Sequence, residues 1–122
     1  MKLPRGLKLL TSPRQVEAIA SPLRVEIVEH LSQAEPSSVA DLARLMGRPA
    51  TALHYHVNLL HRAGILRVAG RRAVGKRSEA LFKPAAKAFG VAARPGEERS
   101  LSEALRTLGA TLRLAQREAA RA

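Results

Sequence analysis

Apolar residues at helical spacing predict three helices in the first part of the chain. A serine followed by a proline, the pattern of an N-cap and a first helical residue, opens one helix at Ser12 and another at Ser21. The third helix carries Val39, Leu42 and Met46 on one face, spaced i, i+3 and i+7. The predicted helices span about residues 12–20, 21–31 and 38–46.

A tight turn joins the third predicted helix to a fourth. Ser38 and Asp41 have capping-box spacing at the start of the third helix, and Gly47 is placed to end it in the left-handed conformation. Pro49 then stands at the first position of the next helix, about three residues later. Two short helices joined by so tight a turn form a helix-turn-helix.

The fourth predicted helix, residues 49–63, has an apolar side and a polar side. Leu53, Val57 and Leu60 are spaced four and three residues apart, and we expect them to face inward. The opposite side carries Thr51, His54, Tyr55, Asn58 and Arg62.

Two strand-like segments follow, ILRVAG and SEALFKP, with the basic, glycine-containing segment RRAVGKR between them. They predict a hairpin with a long loop, which is a wing when it follows a helix-turn-helix. The predicted fold class is therefore mainly α with a small β-hairpin (α+β), a winged helix-turn-helix with a C-terminal dimerisation helix. The predicted domains are an N-terminal arm over 1–12, the winged helix-turn-helix over 13–84, a linker over 85–99 and the last helix over 100–122.

The last predicted helix carries a leucine seam. Ser100 and Glu103 have capping-box spacing at its start. Apolar residues then alternate at spacings of four and three, which is an a/d heptad pattern. The predicted dimer interface consists of Leu101, Leu105, Leu108, Leu112 and Ala115. The alternative is that this helix packs back on its own domain.

Positive charge is concentrated in the middle of the chain. The net charge is +11, and residues 42–94 contain eleven Lys and Arg but one acid, Glu79. This distribution indicates a polyanionic partner, either nucleic acid or an anionic membrane surface, although a basic protein can also be merely soluble. No basic amphipathic helix with large apolar residues stands out and there is no Trp, so a membrane role is disfavoured.

Three histidines crowd the fourth helix, and their spacing argues against a metal site. His54 and His56 are about 200° apart around the axis, and His54 and His61 are about 10 Å apart along it. No i,i+4 pair of histidines exists, so we predict no metal and no cofactor. We expect His56 to pack inward with a hydrogen-bond partner and His61 to lie at the solvated rim.

The polar side of the fourth helix suits a major groove. Hydroxyl, imidazole and amide groups hydrogen-bond base edges, and Asn58 can pair with adenine through two bonds. Arg48 and Arg62 are expected to contact phosphates near the helix ends. The wing would bring Arg71, Arg72, Lys76 and Arg77 to the minor groove or the backbone. The alternative for the wing is a solvated charged loop.

Residues 15–84 resemble the ArsR-type winged-helix repressors. The resemblance is carried by IASPLRVEIVEHL, SSVADLARLMG and LHYHVNLLHRAGIL. It implies a homodimeric DNA-binding regulator, usually a repressor released by an effector, that dimerises through its first and last helices. His54 stands where the family often has Ser. The chain has no Cys, and residues 101–121 have no His or Asp, so the family's metal-sensing sites are not supported.

The sequence therefore predicts a transcriptional regulator that binds double-stranded DNA as a homodimer in the cytoplasm, associated with the nucleoid when bound. The alternative is a nonspecific architectural DNA-binding protein. An enzyme is not predicted, because there is no Cys nucleophile, no glycine-rich phosphate loop and no pair of carboxylates beside the histidines. The release signal stays open between a small molecule in the dimer cleft, a partner protein and none.

Overall fold

The computed structural model describes residues 5–92 and 112–115. The described part of the chain has an α+β arrangement, in which one strand precedes four helices and four strands follow them. The strands are β1 Leu7–Leu10, β2 Leu66–Val74, β3 Arg77–Pro84, β4 Ala88–Ala92 and β5 Leu112–Ala115. The helices are α1 Pro13–Ile19, α2 Pro22–Ser32, α3 Val39–Met46 and α4 Ala50–Arg62.

The predicted helix signals are confirmed. Ser12, Ser21 and Ser38 are the N-caps of α1, α2 and α3, and Ser38 forms a reciprocal capping box with Asp41. Gly47 ends α3 in the left-handed region with φ 65°. The helix ends agree with the predicted bounds to within about one residue, and Pro49 is the N-cap of α4 and not its first helical residue.

The core joins the helices to the base of the hairpin. Val25, Ile27 and Val28 of α2 are fully buried, and so are Leu53, Val57 and Leu60 of α4. The antiparallel hairpin of β2 and β3 packs beside them and contributes buried Phe82. The chain therefore has the winged helix-turn-helix fold that the pattern predicts.

The hairpin has a shorter loop than predicted. Most of RRAVGKR belongs to the strands, and the turn consists of Gly75 and Lys76. Gly75 has φ 62° while Lys76 has a negative φ, the pattern of a type II′ turn that matches strand twist. The ladder continues because Arg71 to Val74 are opposite Arg77 to Ala80, so the long-loop prediction is wrong.

The predictions of an N-terminal arm and of a linker are also partly wrong, because each of these two segments contains a strand. β1 pairs in parallel with β4, from Leu7 opposite Ala88 to Leu10 opposite Val91. Leu10, Phe89 and Val91 are fully buried. Each strand is short and finds its partner far along the chain, so neither shows a periodic pattern of its own.

The C-terminal prediction is wrong over four residues. Leu112–Ala115, expected to be helical, form β5 and pair in parallel with β4 from Phe89 to Ala92. The sequence LRLA alternates apolar and polar residues, which suits a strand, and the edge of β4 supplies its backbone partners. The other predicted interface residues, Leu101, Leu105 and Leu108, lie outside the described residues.

Candidate nucleic-acid interface

Helix α4 presents a polar surface on the side opposite its buried residues. All five predicted reading residues are exposed, and Tyr55 keeps 59% of its surface accessible. This surface contains Thr51, His54, Tyr55, Asn58 and Arg62. Leu53, Val57 and Leu60 on the other side are fully buried, so the orientation of the helix about its axis is fixed.

The C-terminal end of α4 is held by the N-terminal segment. Lys8 Nζ donates to the carbonyl oxygen of Gly64 at 2.8 Å, and Gln15 Nε2 donates to that of Ala63 at 3.1 Å. A cation here also opposes the negative end of the helix dipole. Sequence reasoning missed both contacts. Gln15 has only the spacing from Ser12 that a capping box requires, and nothing in the sequence around Lys8 indicates a contact with α4.

His56 packs inward with a hydrogen-bond partner, as predicted. Nδ1 of His56 lies 3.0 Å from Nη1 of Arg24. Arg24 also donates a hydrogen bond from Nε to the Ala18 carbonyl oxygen at 2.7 Å. Arginine only donates, so His56 Nδ1 accepts and the ring carries its proton on Nε2. Burial, followed by the charges of Arg24 and Arg48, lowers the pKa of His56 below its usual value. His56 is therefore a neutral packing residue and does not face the outer surface of α4.

The other histidines of α4 are exposed. His61 lies against Phe82 at the hairpin base, with the ring centroids 5.8 Å apart in an edge-on arrangement. His54 borders a groove of about 430 Å³ between α3, α4 and the hairpin, together with Asn58, Val74 and Arg77. No group of three or more His, Cys, Asp or Glu that could hold a metal ion occurs among residues 5–92 and 112–115.

Four predicted phosphate contacts have free charges. Arg48 is exposed in the turn before α4, and Arg62 is the last residue of that helix. Lys76 and Arg77 are exposed at the hairpin turn. In the described part of the chain, no acid lies within ion-pair distance of these four side chains.

The two neighbouring arginines of the hairpin differ in their partners. Arg71 Nε donates to Ser78 Oγ at 3.1 Å. Arg72 Nη2 lies 2.9 Å from both Asp41 Oδ2 and Glu79 Oε1. Arg72 is thus engaged by two carboxylates, one on α3 and one on β3.

The carboxylates near Arg72 are held in their charged form. The backbone amide of Ser38 chiefly lowers the pKa of Asp41, and Arg72 lowers it further. Hydrogen bonds from the Ser38 hydroxyl and from Arg72 lower the pKa of Glu79. Hydrogen bonds to Glu79 and to Asp41 raise the pKa of Arg72. These three groups therefore stay charged at neutral pH.

Residues 19–69 match the family model of a helix-turn-helix domain. The match begins at the end of α1 and ends in the first half of β2, so it contains α2, α3 and α4. No curated protein matches the chain. A helix-turn-helix domain suggests DNA binding and a role in transcription regulation. Within residues 5–92 and 112–115, every helix is too short or too polar to span a bilayer.

Proposed function

We propose that this protein is a sequence-specific transcriptional regulator that binds double-stranded DNA as a homodimeric repressor. The observation that carries the proposal is the exposed polar side of α4, opposite fully buried Leu53, Val57 and Leu60. A helix fixed in this way and preceded by a tight turn is the element that enters a major groove in helix-turn-helix proteins. The ArsR-type resemblance supports the dimer and the repressor role.

Each polar group on α4 has a chemistry that suits a base pair. The Asn58 amide can donate to and accept from the adenine edge, and Thr51, His54 and Tyr55 offer single donors or acceptors. Arg48 and Arg62 stand at opposite ends of α4, where charged side chains reach phosphates and fix the register. Base reading and positioning thus fall to different residues of one helix.

The hairpin adds sequence-independent affinity. Lys76 and Arg77 are exposed, have no acidic partner among the described residues and extend from the turn. Arg71 lies further along β2, on the opposite face of the hairpin from Arg77. If the dimer neutralises ~6–10 phosphates, affinity falls ~10³–10⁵-fold between 50 and 200 mM salt. A two-fold dimer prefers half-sites about one helical turn apart, ~34–36 Å.

The first experiment is selection from random duplexes at physiological salt, about 0.15 M, with sequencing of the bound pool. We expect a two-fold symmetric motif. Asn58→Ala should weaken binding to the selected site by about 1–3 kcal/mol and should hardly change binding to random duplex. Arg62→Gln is the matched control on the same helix and should weaken both about equally. Equal losses on both duplexes for Asn58→Ala would remove Asn58 from base reading.

A second candidate is a nonspecific architectural DNA-binding protein. The +11 charge and the exposed hairpin cations favour it, because they bind any duplex. Tight, salt-sensitive binding without an enriched motif would support this candidate over the first. Both candidates place the protein in the cytoplasm with the nucleoid, and neither requires a cofactor or an enzymatic activity.

A further inference from the structure

One guanidinium nitrogen connects the hairpin to the start of α3. Arg72 Nη2 on β2 lies 3.0 and 2.9 Å from the two carboxylate oxygens of Asp41 and 2.9 Å from Glu79 Oε1 on β3. The same nitrogen is 3.2 Å from Oγ of Ser38, the buried N-cap residue of α3. Asp41 also accepts from the Ser38 backbone amide at 3.0 Å, so its carboxylate is fixed by the helix cap.

We propose that Ser38, Asp41, Arg72 and Glu79, here named the hairpin clamp, hold the wing at a fixed angle to the helix-turn-helix, and that Arg72 is a positioning residue and not a phosphate contact. The clamp rests on the proposed function, because the angle of the hairpin matters for DNA only if the hairpin meets DNA. It replaces the sequence-based expectation that Arg72 touches the duplex.

Two attachment points fix an angle that one point leaves free. Ser37 pairs with Phe82 at the hairpin base through two backbone hydrogen bonds, of 3.1 and 2.8 Å. That bridge and the buried side chain of Phe82 hold the base of the hairpin, whereas residues 71–78 around the turn are exposed. The clamp engages residues 72 and 79, nearer the turn, and so supplies the second point.

Nη2 of Arg72 is engaged by two carboxylates, so a phosphate bound by the other guanidinium nitrogens would lie close to Asp41 and Glu79. A phosphate that displaced Nη2 would deprive both carboxylates of their common cation. Glu79 is the one acid between residues 42 and 94, and it is opposite Arg72 in the strand register. An acid in this position opposes DNA binding on charge grounds alone, and the clamp gives it a structural role.

The strand register supplies a matched control. Side chains alternate between the two faces of a strand, and opposite residues share a face. Arg72 is opposite Glu79, whereas Arg71 is opposite Ala80 on the other face. The two arginines are neighbours with the same charge, but only Arg72 among them contacts α3.

The test combines hydrogen exchange without DNA and salt-dependent DNA binding, both on the full chain. Arg72→Gln and Glu79→Gln should speed amide exchange across the hairpin turn end about fivefold, the upper end for partly exposed ion pairs. Arg71→Gln and Glu35→Gln remove the same charges outside the clamp and should leave exchange within about twofold of the wild type.

DNA binding is measured on a random-sequence duplex as the slope of log affinity against log salt. Arg71→Gln should reduce the size of the slope by about 0.9, the value for one lost phosphate contact. Arg72→Gln should weaken binding and keep the wild-type slope. Glu79→Gln should not tighten binding, although it removes an acid.

Several results would overturn the clamp. One is unchanged exchange in Arg72→Gln with a slope reduced as in Arg71→Gln, which would make Arg72 a phosphate contact. Another is tighter DNA binding by Glu79→Gln with amide exchange at the hairpin turn end unchanged. In that case Glu79 would only repel DNA and would not hold the hairpin. If the wild type binds no duplex, the proposed function fails, and with it the role of the clamp in DNA binding. The exchange data then still decide whether the clamp holds the hairpin.

Discussion

Truncating Leu10 to alanine tests whether the N-terminal strand is part of the core. Leu10 is 0% exposed and pairs through β1 with Val91. The change removes three carbons from a buried site, which corresponds to about 2.4 kcal/mol at ~0.8 kcal/mol per methylene. The cavity left behind adds to this loss, so we expect about 3 kcal/mol of destabilisation, within the range of ~2–5 kcal/mol for buried leucines.

The assay is urea and thermal unfolding followed by circular dichroism. A loss of about 3 kcal/mol should lower the melting temperature by roughly 10 °C or more in a domain of this size. Leu45→Ala is the matched control, because Leu45 is 61% exposed on α3, and it should change stability by less than about 0.5 kcal/mol. Leu10→Met keeps most of the volume and should cost less than about 1.5 kcal/mol. Equal, small effects of Leu10→Ala and Leu45→Ala would refute the packing of β1 in the core.

Two further predictions concern pH and backbone strain. Because burial and nearby arginines lower the pKa of His56, the unfolded chain takes up its proton near pH 6.5 while the folded chain resists it. The wild type should therefore lose stability relative to His56→Gln as the pH falls below about 6.5, and parallel urea midpoints across this range would contradict it. Gly47→Ala should lower the free energy of unfolding by about 1–2 kcal/mol, because φ is 65°. A Cβ at this position meets nothing within 4 Å, so the loss would come from backbone strain and not from a steric clash. Gly70→Ala, which has open space but no positive φ, should be nearly neutral in the same unfolding assay, and equal costs at the two glycines would argue against backbone strain.

The helical part of the fold was predictable because its signals are local. Serine caps, the left-handed Gly47 and apolar residues three and four apart all act within a few residues. The polar side of α4 follows from the same periodicity, so its exposed residues were predicted correctly. The inward position of His56 was also predictable, but its partner Arg24 is 32 residues away and was not.

The remaining features depend on partners distant in sequence. Arg72 and Asp41 are 31 residues apart, so the sequence shows a basic segment and an N-terminal cap but not that they meet. β1 and β4 are each four or five residues long and gain regular structure only by pairing. The hairpin loop was overestimated because charged residues in RRAVGKR resemble a loop, whereas exposed strands in a wing also carry them.

The parallel pairing of β1 with β4 also sets an order of events during synthesis. Leu7 and Ala88 are register partners although they are 81 positions apart in the sequence. At ~5–20 residues per second, the ribosome adds that stretch in about 4–16 s. During this interval α1 to α4 can fold from local contacts, whereas β1 has no partner, and Lys8 cannot hold the end of α4 until Gly64 has emerged. Among the described strands, β1 is therefore made before the others but paired late, and its leucines have no strand partner until β4 is made.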